Sequence, residues 1–450
     1  MSNQDPRLAL HRLLLSLFSA DELRRFIRYM PGGESVISDL PGPGASPASL
    51  ADSAVELLGH HGLVTPEFFQ HVLAERPRRA ADIQAVAQLW QAPRTRPVGT
   101  GRGPVDAPAG PVDAGKPAPA GGPEAQEGLV RILHLSDFHF SEATAWDSGT
   151  CLGRLAADIS RVRRASGAPD LVVLSGDIAN TGQEQEYAQA RAWIEGALLP
   201  AAGVDASQVI AVPGNHDVDR GKTRGTVVRS AQAELLKSGQ QADVAALLAG
   251  EDAEVLLRRH AGFIKFADGL RLGGARWTLP WGSFRRTLRG VSVHVAAFSS
   301  AWLAAGDDDH GKLLLGLYQA NQVLRAAETA ELVISVMHHP WGFFAAWDGA
   351  ARAEVRRASS LVLRGHLHDS GQELVQGNAN DMVQELAAGA AYESSESPNS
   401  YYWLEALPRA GALRIRPRFW DTKRREWRAD LNLFETEVHE VPLRRAPAAS

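Results

Sequence analysis

Five short polar clusters between residues 137 and 368 carry side chains that bind metal ions. They are Asp137-Phe138-His139, Gly176-Asp177, Gly214-Asn215-His216-Asp217, His338-His339-Pro340 and Gly365-His366-Leu367-His368. Carboxylate, amide and imidazole donors together suit Mn²⁺, Fe or Zn²⁺, whereas an oxygen-only set suits Ca²⁺ or Mg²⁺. Each cluster alone is a weak signal, because a Gly-Asp pair or a His-x-His segment also occurs in ordinary turns. The ordered set of five predicts a metal centre.

A centre with two such ions favours one kind of reaction. A carboxylate can bridge two cations, and cations about 4 Å apart bind a phosphoryl group between them. They also lower the pKa of a shared water, which supplies a hydroxide for in-line attack at neutral pH. Hydrolysis of phosphate esters is therefore the reaction that these residue types predict.

In full order the clusters resemble the calcineurin-like metallophosphoesterase superfamily, and the resemblance covers residues 129–450. It implies an α/β fold, a four-layer α/β/β/α sandwich, and two divalent metal ions. By the resemblance, Asp137, His139 and His368 hold the first ion, Asn215, His338 and His366 hold the second, and Asp177 bridges them. It also implies that His216 protonates the leaving oxygen, while Asp217 accepts the other ring proton of His216 and orients it.

Two histidines near these clusters need separate treatment. His338 and His339 are adjacent, and successive side chains at a strand end point in opposite directions, so only one of them faces the metal. The resemblance favours His338 as the ligand and leaves His339 a supporting or packing role. His134, three residues before Asp137, is interpreted as an ordinary structural histidine of a strand.

Short apolar runs precede the clusters and position them. The predicted strands are Val130–Leu135, Leu171–Leu174, Val209–Val212, Val333–Met337 and Leu361–Leu363. Their alternation with helical stretches is typical of a layered α/β domain, which binds ligands at the carboxyl ends of its strands. Two further strands are predicted near the end, at Tyr402–Leu407 and Leu413–Phe419, with Trp427 on a third.

The interval between Asp217 and His338 contains more residues than a minimal core needs. Leucines recur at helical spacing between residues 226 and 270, so residues 222–285 are predicted to form a helical insertion. The sequence leaves two alternatives open. The insertion either shapes access of the substrate or packs on one edge of the domain.

Residues 1–92 predict a small all-α helical bundle. Ser19 and Glu22 have capping-box spacing before an apolar face, and Ser46-Pro47 and Thr65-Pro66 start two further helices. Residues 17–26, together with Leu40-Pro41 and Gly62-Leu63-Val64, resemble the bacterial effector-associated domain, a death-fold-like adaptor. That resemblance implies a protein partner bound through homotypic contact of residues 1–92, in bacterial defence or signalling. His60, His61 and His71 are interpreted as surface histidines, because no other ligand type accompanies them.

Residues 93–128 differ in composition from both neighbours. Pro, Gly and Ala predominate there, and large apolar side chains are almost absent. Such a segment cannot bury enough surface to offset its ordering entropy, so it is predicted to be a flexible linker. The predicted domains are therefore 1–92, the linker 93–128, and a metallophosphoesterase domain at 129–450.

Composition limits the partners of the chain. The formal net charge is −5 over 450 residues, so no strong overall field attracts nucleic acid or a membrane surface. No apolar run approaches the roughly 20 residues that span a bilayer. Residues 8–18 are leucine-rich but interrupted by His11 and Arg12, which favours a helix over a signal peptide. The single cysteine, Cys151, cannot form an intramolecular disulfide, which fits a cytoplasmic protein.

The residues are compatible with three functions. The first is a metal-dependent phosphodiesterase or phosphatase that acts on a phosphoester substrate. The second is a nuclease that uses the same site on DNA or RNA, suggested by Arg414, Arg416 and Arg418 on one predicted strand, although a solvated outer face is the commoner explanation of such arginines. The third is a non-catalytic adaptor that acts through residues 1–92, against which the presence of His216 counts.

Overall fold

The structure is a computed structural model in which two parts of the chain are compact, residues 1–120 and 121–450. The residues it describes are 6–30, 33, 36, 40, 47–60, 63–76, 79–91, 127–223, 225–274, 280–306, 309–368, 370–376, 382–395, 397, 399–431 and 433–445. Nearly all of the predicted linker, residues 93–126, lies outside the described residues, as do Ser46, His61 and Trp277.

Five helices are described in the first part of the chain. They are α1 (Pro6–Leu17), α2 (Ala20–Tyr29), α3 (Pro47–His60), α4 (Pro66–Glu75) and α5 (Ala80–Gln91). The predicted capping box is present, because Ser19 Oγ accepts from Glu22 N at 3.4 Å and the Glu22 carboxylate accepts from Ser19 N at 2.9 Å. Thr65 caps α4 by accepting from Phe68 N.

The apolar faces of these five helices share one core. Leu14, Ile27, Leu50 and Val72 are fully buried in it, and Phe68 is 2% exposed. Each helix thus buries one apolar stripe, as the helical spacing predicts. His71, one of the three histidines interpreted as surface residues, is exposed, whereas His61 and the side chain of His60 lie outside the described residues.

The second part of the chain contains two β-sheets. The first sheet has the order β12-β11-β10-β1-β2-β3, and β13 also pairs with β11. Its strands are β1 (Val130–Leu135), β2 (Leu171–Leu174), β3 (Val209–Ala211), β10 (Ser400–Leu407), β11 (Ala412–Asp421), β12 (Glu426–Ala429) and β13 (His439–Pro442). The strands β1, β2 and β3 are parallel, and β10 joins β1 in antiparallel fashion.

The second sheet has the order β4-β5-β6-β7-β9-β8. Its strands are β4 (Trp281–Leu288), β5 (Val291–Phe298), β6 (Leu332–Val336), β7 (Leu361–Arg364), β8 (Gly371–Gln376) and β9 (Met382–Ala387). The four inner strands are parallel, and the antiparallel strands β4 and β8 form the edges. Parallel strands are covered on both faces, which explains why β6 is buried along its whole length and appears in the sequence as an apolar run interrupted only by Ser335.

Residues from both sheets contribute to one hydrophobic core. Leu133, Val173 and Tyr402 of the first sheet lie in the same core as Ile334 and Leu363 of the second. Further helices cover the sheets: α6 (Ala145–Ser166), α7 (Glu184–Trp193), α8 (Leu199–Ala202), α13 (Leu317–Leu324) and α14 (Gly349–Ala358). A π-helical turn, Ile194–Leu198, joins α7 to α8. The fold is thus mixed α/β with two sheets and covering helices.

The predicted insertion is helical over most of its length. It forms α9 (Gly225–Ser238), α10 (Gln241–Ala249), α11 (Asp252–Leu257) and α12 (Ala261–Leu270). Its predicted end at residue 285 is wrong, because β4 already begins at Trp281. In this strand Gly282 and Phe284 are buried while Ser283 and Arg285 are exposed, a period of two that the neighbouring arginines obscured in the sequence.

The insertion packs against the domain on two sides. Phe266 of α12 stacks on Tyr187 of α7 with ring centroids 5.2 Å apart. Val228 and Val244, on α9 and α10, share a core with Trp302 and Leu314. These contacts favour the alternative in which the insertion is packed on the domain.

The arginines of β11 are paired within the domain. Arg414 lies 2.9 Å from Glu440, and Arg416 lies 3.6 Å from Glu405. Arg418 is buried and lies 2.9 Å from Asp158. The predicted basic face therefore gives no support to binding of nucleic acid.

None of the described helices has both the length and the apolar character needed to cross a bilayer.

We expect Cys151 to be unreactive in the folded protein. Its side chain is fully buried in α6, and burial raises the pKa of the thiol to about 12. At pH 8 the thiolate is then roughly one part in 10⁴ of the total, so Ellman's reagent should label native protein at least about 100-fold more slowly than unfolded protein. Rapid labelling of one thiol per native chain would contradict this packing of α6.

Candidate metal centre

The five polar clusters meet where parallel strands of the two sheets end. Asp137 and His139 follow β1, Asp177 follows β2, and Asn215 and His216 follow β3 in the first sheet. The second sheet supplies His338 after β6, and His366 and His368 after β7. Carboxyl ends of parallel strands face the same way, so each sheet delivers its ligands to one edge.

The first group of donor atoms comprises Asp137 Oδ1, His139 Nε2 and His368 Nε2. The two imidazole nitrogens lie 3.1 Å apart, and Asp137 Oδ1 lies 3.8 Å from His139 Nε2 and 3.4 Å from His368 Nε2. Two donors that share one ion at about 2.1 Å lie roughly 3.0–3.4 Å apart for angles of 90–110°. The distances of 3.1 and 3.4 Å lie in this range, and 3.8 Å corresponds to a wider angle of about 130°, so the three donors can share a single cation.

The second group comprises Asn215 Oδ1, His338 Nε2 and His366 Nδ1. Asn215 Oδ1 lies 3.2 Å from His338 Nε2 and 3.1 Å from His366 Nδ1, and the two ring nitrogens are 3.2 Å apart. His338 Nδ1 lies 2.9 Å from the carbonyl oxygen of Ser175. Because a carbonyl only accepts, this contact places the ring proton on Nδ1 and leaves the Nε2 lone pair for a metal.

Asp177 lies between the two groups. Its Oδ2 is 3.1 Å from His338 Nε2, and its carboxylate also clusters with Asp137 and with His139. Its Oδ1 accepts from the backbone N–H of His216 at 2.8 Å. This is the position from which one carboxylate can bridge two cations.

The backbone at this site is strained. The described chain has eight non-glycine residues with positive φ, and five of them are predicted ligands. They are Asp137 (54°), His139 (47°), Asp177 (50°), His366 (81°) and His368 (56°). Left-handed conformations of L-residues cost on the order of 1 kcal/mol or more each and are concentrated at functional sites. The tight turns thus aim these side chains inward at a cost that the surrounding packing must offset.

Glycines allow the turns to approach one another. A Cβ at Gly176 would lie 2.4 Å from His338 Nδ1, and a Cβ at Gly365 would lie 1.9 Å from Ser136 Oγ and 2.4 Å from Asp137 Oδ2. No side chain fits at such distances. Gly214, which precedes Asn215, is equally crowded, since its Cβ would lie 2.1 Å from Asp177 Oδ1. The glycine that precedes a ligand in three of the clusters is therefore a steric requirement of the site.

The electrostatics of the site favour positive charge. Burial alone would lower the pKa of His338, but the Asp177 and Asp137 carboxylates raise it to about 9. Burial likewise opposes protonation of His368, yet Asp137 and Glu393 raise its pKa to about 10. Burial lowers the pKa of His366 well below its usual range, so that ring is neutral and offers a lone pair.

One buried acceptor supports a cation at the first group. Asp137 is fully buried, and its Oδ1 has no hydrogen-bond partner among the described residues, whereas its Oδ2 accepts from His366 N at 3.1 Å. A buried carboxylate oxygen without a partner is costly unless a cation compensates it. The residues present thus fit two divalent ions.

The hydrogen bonds of Ser300 favour His338 over the adjacent His339 as the donor to this site, where the ring nitrogens of both lie near that of His366. Its hydroxyl accepts from the backbone N–H groups of both His338 and His339, at 3.2 and 3.1 Å. Both lone pairs are then used, so the hydroxyl proton is donated to His339 Nδ1 at 2.8 Å. Burial and the neighbouring His366 and His338 lower the pKa of His339 well below its usual range. The neutral ring therefore carries its proton on Nε2, which leaves no lone pair for a metal.

The predicted contact between Asp217 and His216 is wrong. His216 Nδ1 instead lies 2.8 Å from the carbonyl oxygen of Asn180. Asp217 accepts backbone N–H groups of Ile178, Ala179 and Gly214 and the hydroxyl of Tyr187, at 2.9–3.1 Å. A carboxylate that is saturated by four donors holds the loops after β2 and β3 together, and it has no acceptor capacity left for an imidazole.

Ser300, Asn180 and Tyr187 are site residues that the sequence did not reveal. Ser300 follows the apolar run of β5, so a polar residue at a strand end was its available signal. Asn180 acts through its backbone carbonyl, for which side-chain type gives no signal. His134 is buried on β1, and its Nε2 lies 2.8 Å from Ser175 Oγ, which agrees with a structural role.

Comparison with known proteins identifies similar chains. The profile of the calcineurin-like phosphoesterase family matches residues 130–370. YydB of Bacillus subtilis (strain 168), an uncharacterized metallophosphoesterase-like protein, is 22% identical over 308 residues, which cover 66% of this chain and 61% of YydB. A probable cyclic nucleotide phosphodiesterase of Rhodococcus erythropolis is 33% identical over 98 residues, which cover 22% of this chain and 31% of that protein. The chain thus spans less than two thirds of the length of either relative.

Among solved structures, the Thermus thermophilus sulfate thiohydrolase SoxB in complex with glycerol aligns with a TM-score of 0.36 and 13% identity. The alignment covers 68% of this chain and 58% of that one.

We expect Gly365→Ala to damage the first donor group. The added Cβ would overlap Ser136 Oγ and Asp137 Oδ2, so the Asp137 carboxylate must move away from His139 and His368. Overpacking of this kind costs about 1–3 kcal/mol, and we expect Mn²⁺ affinity to fall at least tenfold. Gly349→Ala is the matched control, because its Cβ meets no atom within 4 Å. Calorimetric titration of both variants with Mn²⁺ checks this, and equal affinities would contradict the crowding at Gly365.

Proposed function

The chain belongs to the calcineurin-like phosphoesterase family, and from this we propose that it is a metal-dependent phosphoric ester hydrolase. Its substrates are phosphodiesters or phosphomonoesters. The observation that carries the proposal is the pair of donor groups, each with spacings that suit one cation, on either side of the Asp177 carboxylate. The similarity to the Rhodococcus protein, a probable cyclic nucleotide phosphodiesterase, supports the diester alternative.

We assign two divalent ions to these groups, and Mn²⁺, Fe and Zn²⁺ all suit the mixed donors. Asp137, His139 and His368 hold one ion, Asn215, His338 and His366 hold the other, and Asp177 is shared. When bound, such ions polarise a phosphoryl group and acidify the attacking water. The chain contributes the fixed positions of the donors, which the strained turns and the glycines maintain.

His216 is proposed as the general acid. The Asn180 carbonyl accepts the Nδ1 proton, so it is the imidazolium form of His216 that acts as the acid: its Nε2 proton passes to the leaving oxygen and the ring is left neutral with its proton on Nδ1. Its backbone N–H is bound to Asp177 Oδ1, which fixes the ring next to the shared carboxylate. The ring also contacts His139, with centroids 4.8 Å apart. Asp217 supports this residue indirectly, by holding the loop that carries Asn180.

The remaining proposals concern the architecture and setting of the enzyme. The core that both sheets share supports a four-layer α/β/β/α arrangement in residues 129–450. The five helices before residue 92 support a helical adaptor that binds a similar domain of a partner and recruits the enzyme in bacterial defence or signalling. Residues 93–128 would tether the two. The single cysteine supports a cytoplasmic location.

We expect hydrolysis of bis(p-nitrophenyl) phosphate with Mn²⁺ to depend on Asp177 and His216. His216→Ala removes the proton donor and should lower kcat by about 10²–10⁴-fold. Asp177→Asn removes the bridging charge and should lower both activity and the number of Mn²⁺ ions bound. Asp252→Asn, a carboxylate exposed on α11, is the matched control and should leave the rate unchanged. Equal rates in all four proteins would refute the proposed function.

The choice of substrate is tested separately with the wild-type protein. The panel contains p-nitrophenyl phosphate, the aryl diester, cyclic nucleotides, and single-stranded and duplex oligonucleotides. Cleavage of small diesters without cleavage of oligonucleotides would exclude the nuclease alternative. Absence of any hydrolysis, despite binding of two Mn²⁺ ions, would favour the non-catalytic adaptor.

A further inference from the structure

Both ring nitrogens of His368 face charged groups. Its Nε2 belongs to the first donor group, 3.4 Å from Asp137 Oδ1. Its Nδ1 lies 3.5 Å from Oε1 of Glu393 on the other side of the ring. The imidazole of His368 thus lies between an outer carboxylate and the donor group. In such an arrangement the outer acceptor fixes the orientation and tautomer of a metal ligand.

The outer partner of His368 differs in kind from those of two neighbouring histidines. His338 Nδ1 and His216 Nδ1 face backbone carbonyls, of Ser175 and Asn180. Such carbonyls fix a tautomer but carry no net charge. A carboxylate fixes the tautomer and also makes the opposite nitrogen more basic, so it strengthens a metal ligand further.

Residues 388–395 form a loop, called the Glu393 loop below, whose contacts hold Glu393 in place. The loop pairs with the turn that carries Asp137, because Ala391 N donates to Ser136 O at 2.7 Å and Tyr392 N donates to Asp137 O at 3.2 Å. The same loop therefore touches both the backbone of one ligand, Asp137, and the ring of another, His368.

The rest of the loop is anchored to α6 and β10. Asp147 Oδ2 of α6 accepts from the hydroxyl of Tyr392 at 2.9 Å and from Ser395 N at 2.8 Å. Glu393 N itself donates to Asn399 Oδ1 at 2.8 Å. The backbone of Glu393 is thus fixed from both sides, although its side chain is half-exposed. This is the preorganisation that a supporting residue needs.

Glu393 lies outside the segment that the family profile matches, which ends at residue 370. In the sequence it stands in a polar stretch, Tyr392-Glu393-Ser394-Ser395, with the composition of an ordinary loop. The metal centre therefore receives a contact from the part of the chain that follows the matched segment.

We propose that Glu393 is a positioning residue that accepts the Nδ1 proton of His368, keeps the lone pair on Nε2, and strengthens binding of the ion held by Asp137, His139 and His368. The proposal deepens the proposed function and rests on it for the identity of the ligands.

The test measures Mn²⁺ binding to the full-length, metal-free protein. Binding is monitored by calorimetry and by the electron paramagnetic resonance of free Mn²⁺. Glu393→Ala should lower the affinity for one of the two Mn²⁺ ions about 10–100-fold, and the affinity for the other should stay within twofold of wild type. Glu393→Gln, whose amide oxygen accepts the same proton without the charge, should fall between Ala and wild type. Glu234→Gln removes an equal charge from an exposed position on α9 and should bind as wild type does.

A second readout separates positioning from damage to the fold. At saturating Mn²⁺ the kcat of Glu393→Ala should return to within a few fold of wild type, because mass action restores the ion. A chain with a distorted site would not recover. Unchanged affinities in both Glu393→Ala and Glu393→Gln, or a kcat that excess Mn²⁺ does not restore, would overturn the proposal.

The Mn²⁺-binding readout is independent of hydrolysis. If the wild-type protein binds two ions and Glu393→Ala weakens one, but no phosphoester is cleaved, the proposed function fails and the role of Glu393 stands. If phosphoesters are cleaved and the Glu393 variants bind Mn²⁺ as wild type does, the role of Glu393 fails and the proposed function stands.

Discussion

Two buried carboxylates, Asp137 and Asp177, are the constraint on which the site depends. They follow neighbouring parallel strands and are 0% and 2% exposed. Ionised carboxylates at such depth are costly unless positive charge or hydrogen-bond donors compensate them. The domain surrounds them with imidazoles from the second sheet and with backbone N–H groups of His216 and His366. The separation of the two sheets is therefore coupled to the metal centre, since each sheet supplies half of the compensation.

The turns that carry these groups are held by contacts remote from the chemistry. Left-handed turns at five ligand positions together cost on the order of several kcal/mol, a large part of the 5–15 kcal/mol by which domains are stable. Asp217 offsets part of this by collecting donors from two loops, and Tyr187 completes that set with its hydroxyl. Tyr187 is itself packed against Phe266 of the insertion. The insertion thus contributes to the stability of the loop beside the proposed general acid.

The strands after residue 370 also help to hold the turns that carry the ligands. β10 pairs with β1, the strand that delivers Asp137, and the loop before β10 pairs with the Asp137 turn itself. The arginines on the neighbouring strand β11 are used in ion pairs with Glu405, Glu440 and Asp158. The carboxylates of these ion pairs neutralise the charge of the arginines, which explains why an alternating basic pattern in the sequence does not create a basic surface.

The sequence by itself determined the ligand types, their order and the strands that carry them, because donor chemistry and strand-end position are local properties. The capping box at Ser19 was equally readable, since all of its partners lie within four residues. Only the tertiary structure placed the Ser300 hydroxyl against His339, replaced Asp217 by the Asn180 carbonyl as the partner of His216, and brought Glu393 to His368. Each of these depends on which polar group a distant loop places beside a ring, and no residue type or spacing along the chain encodes that.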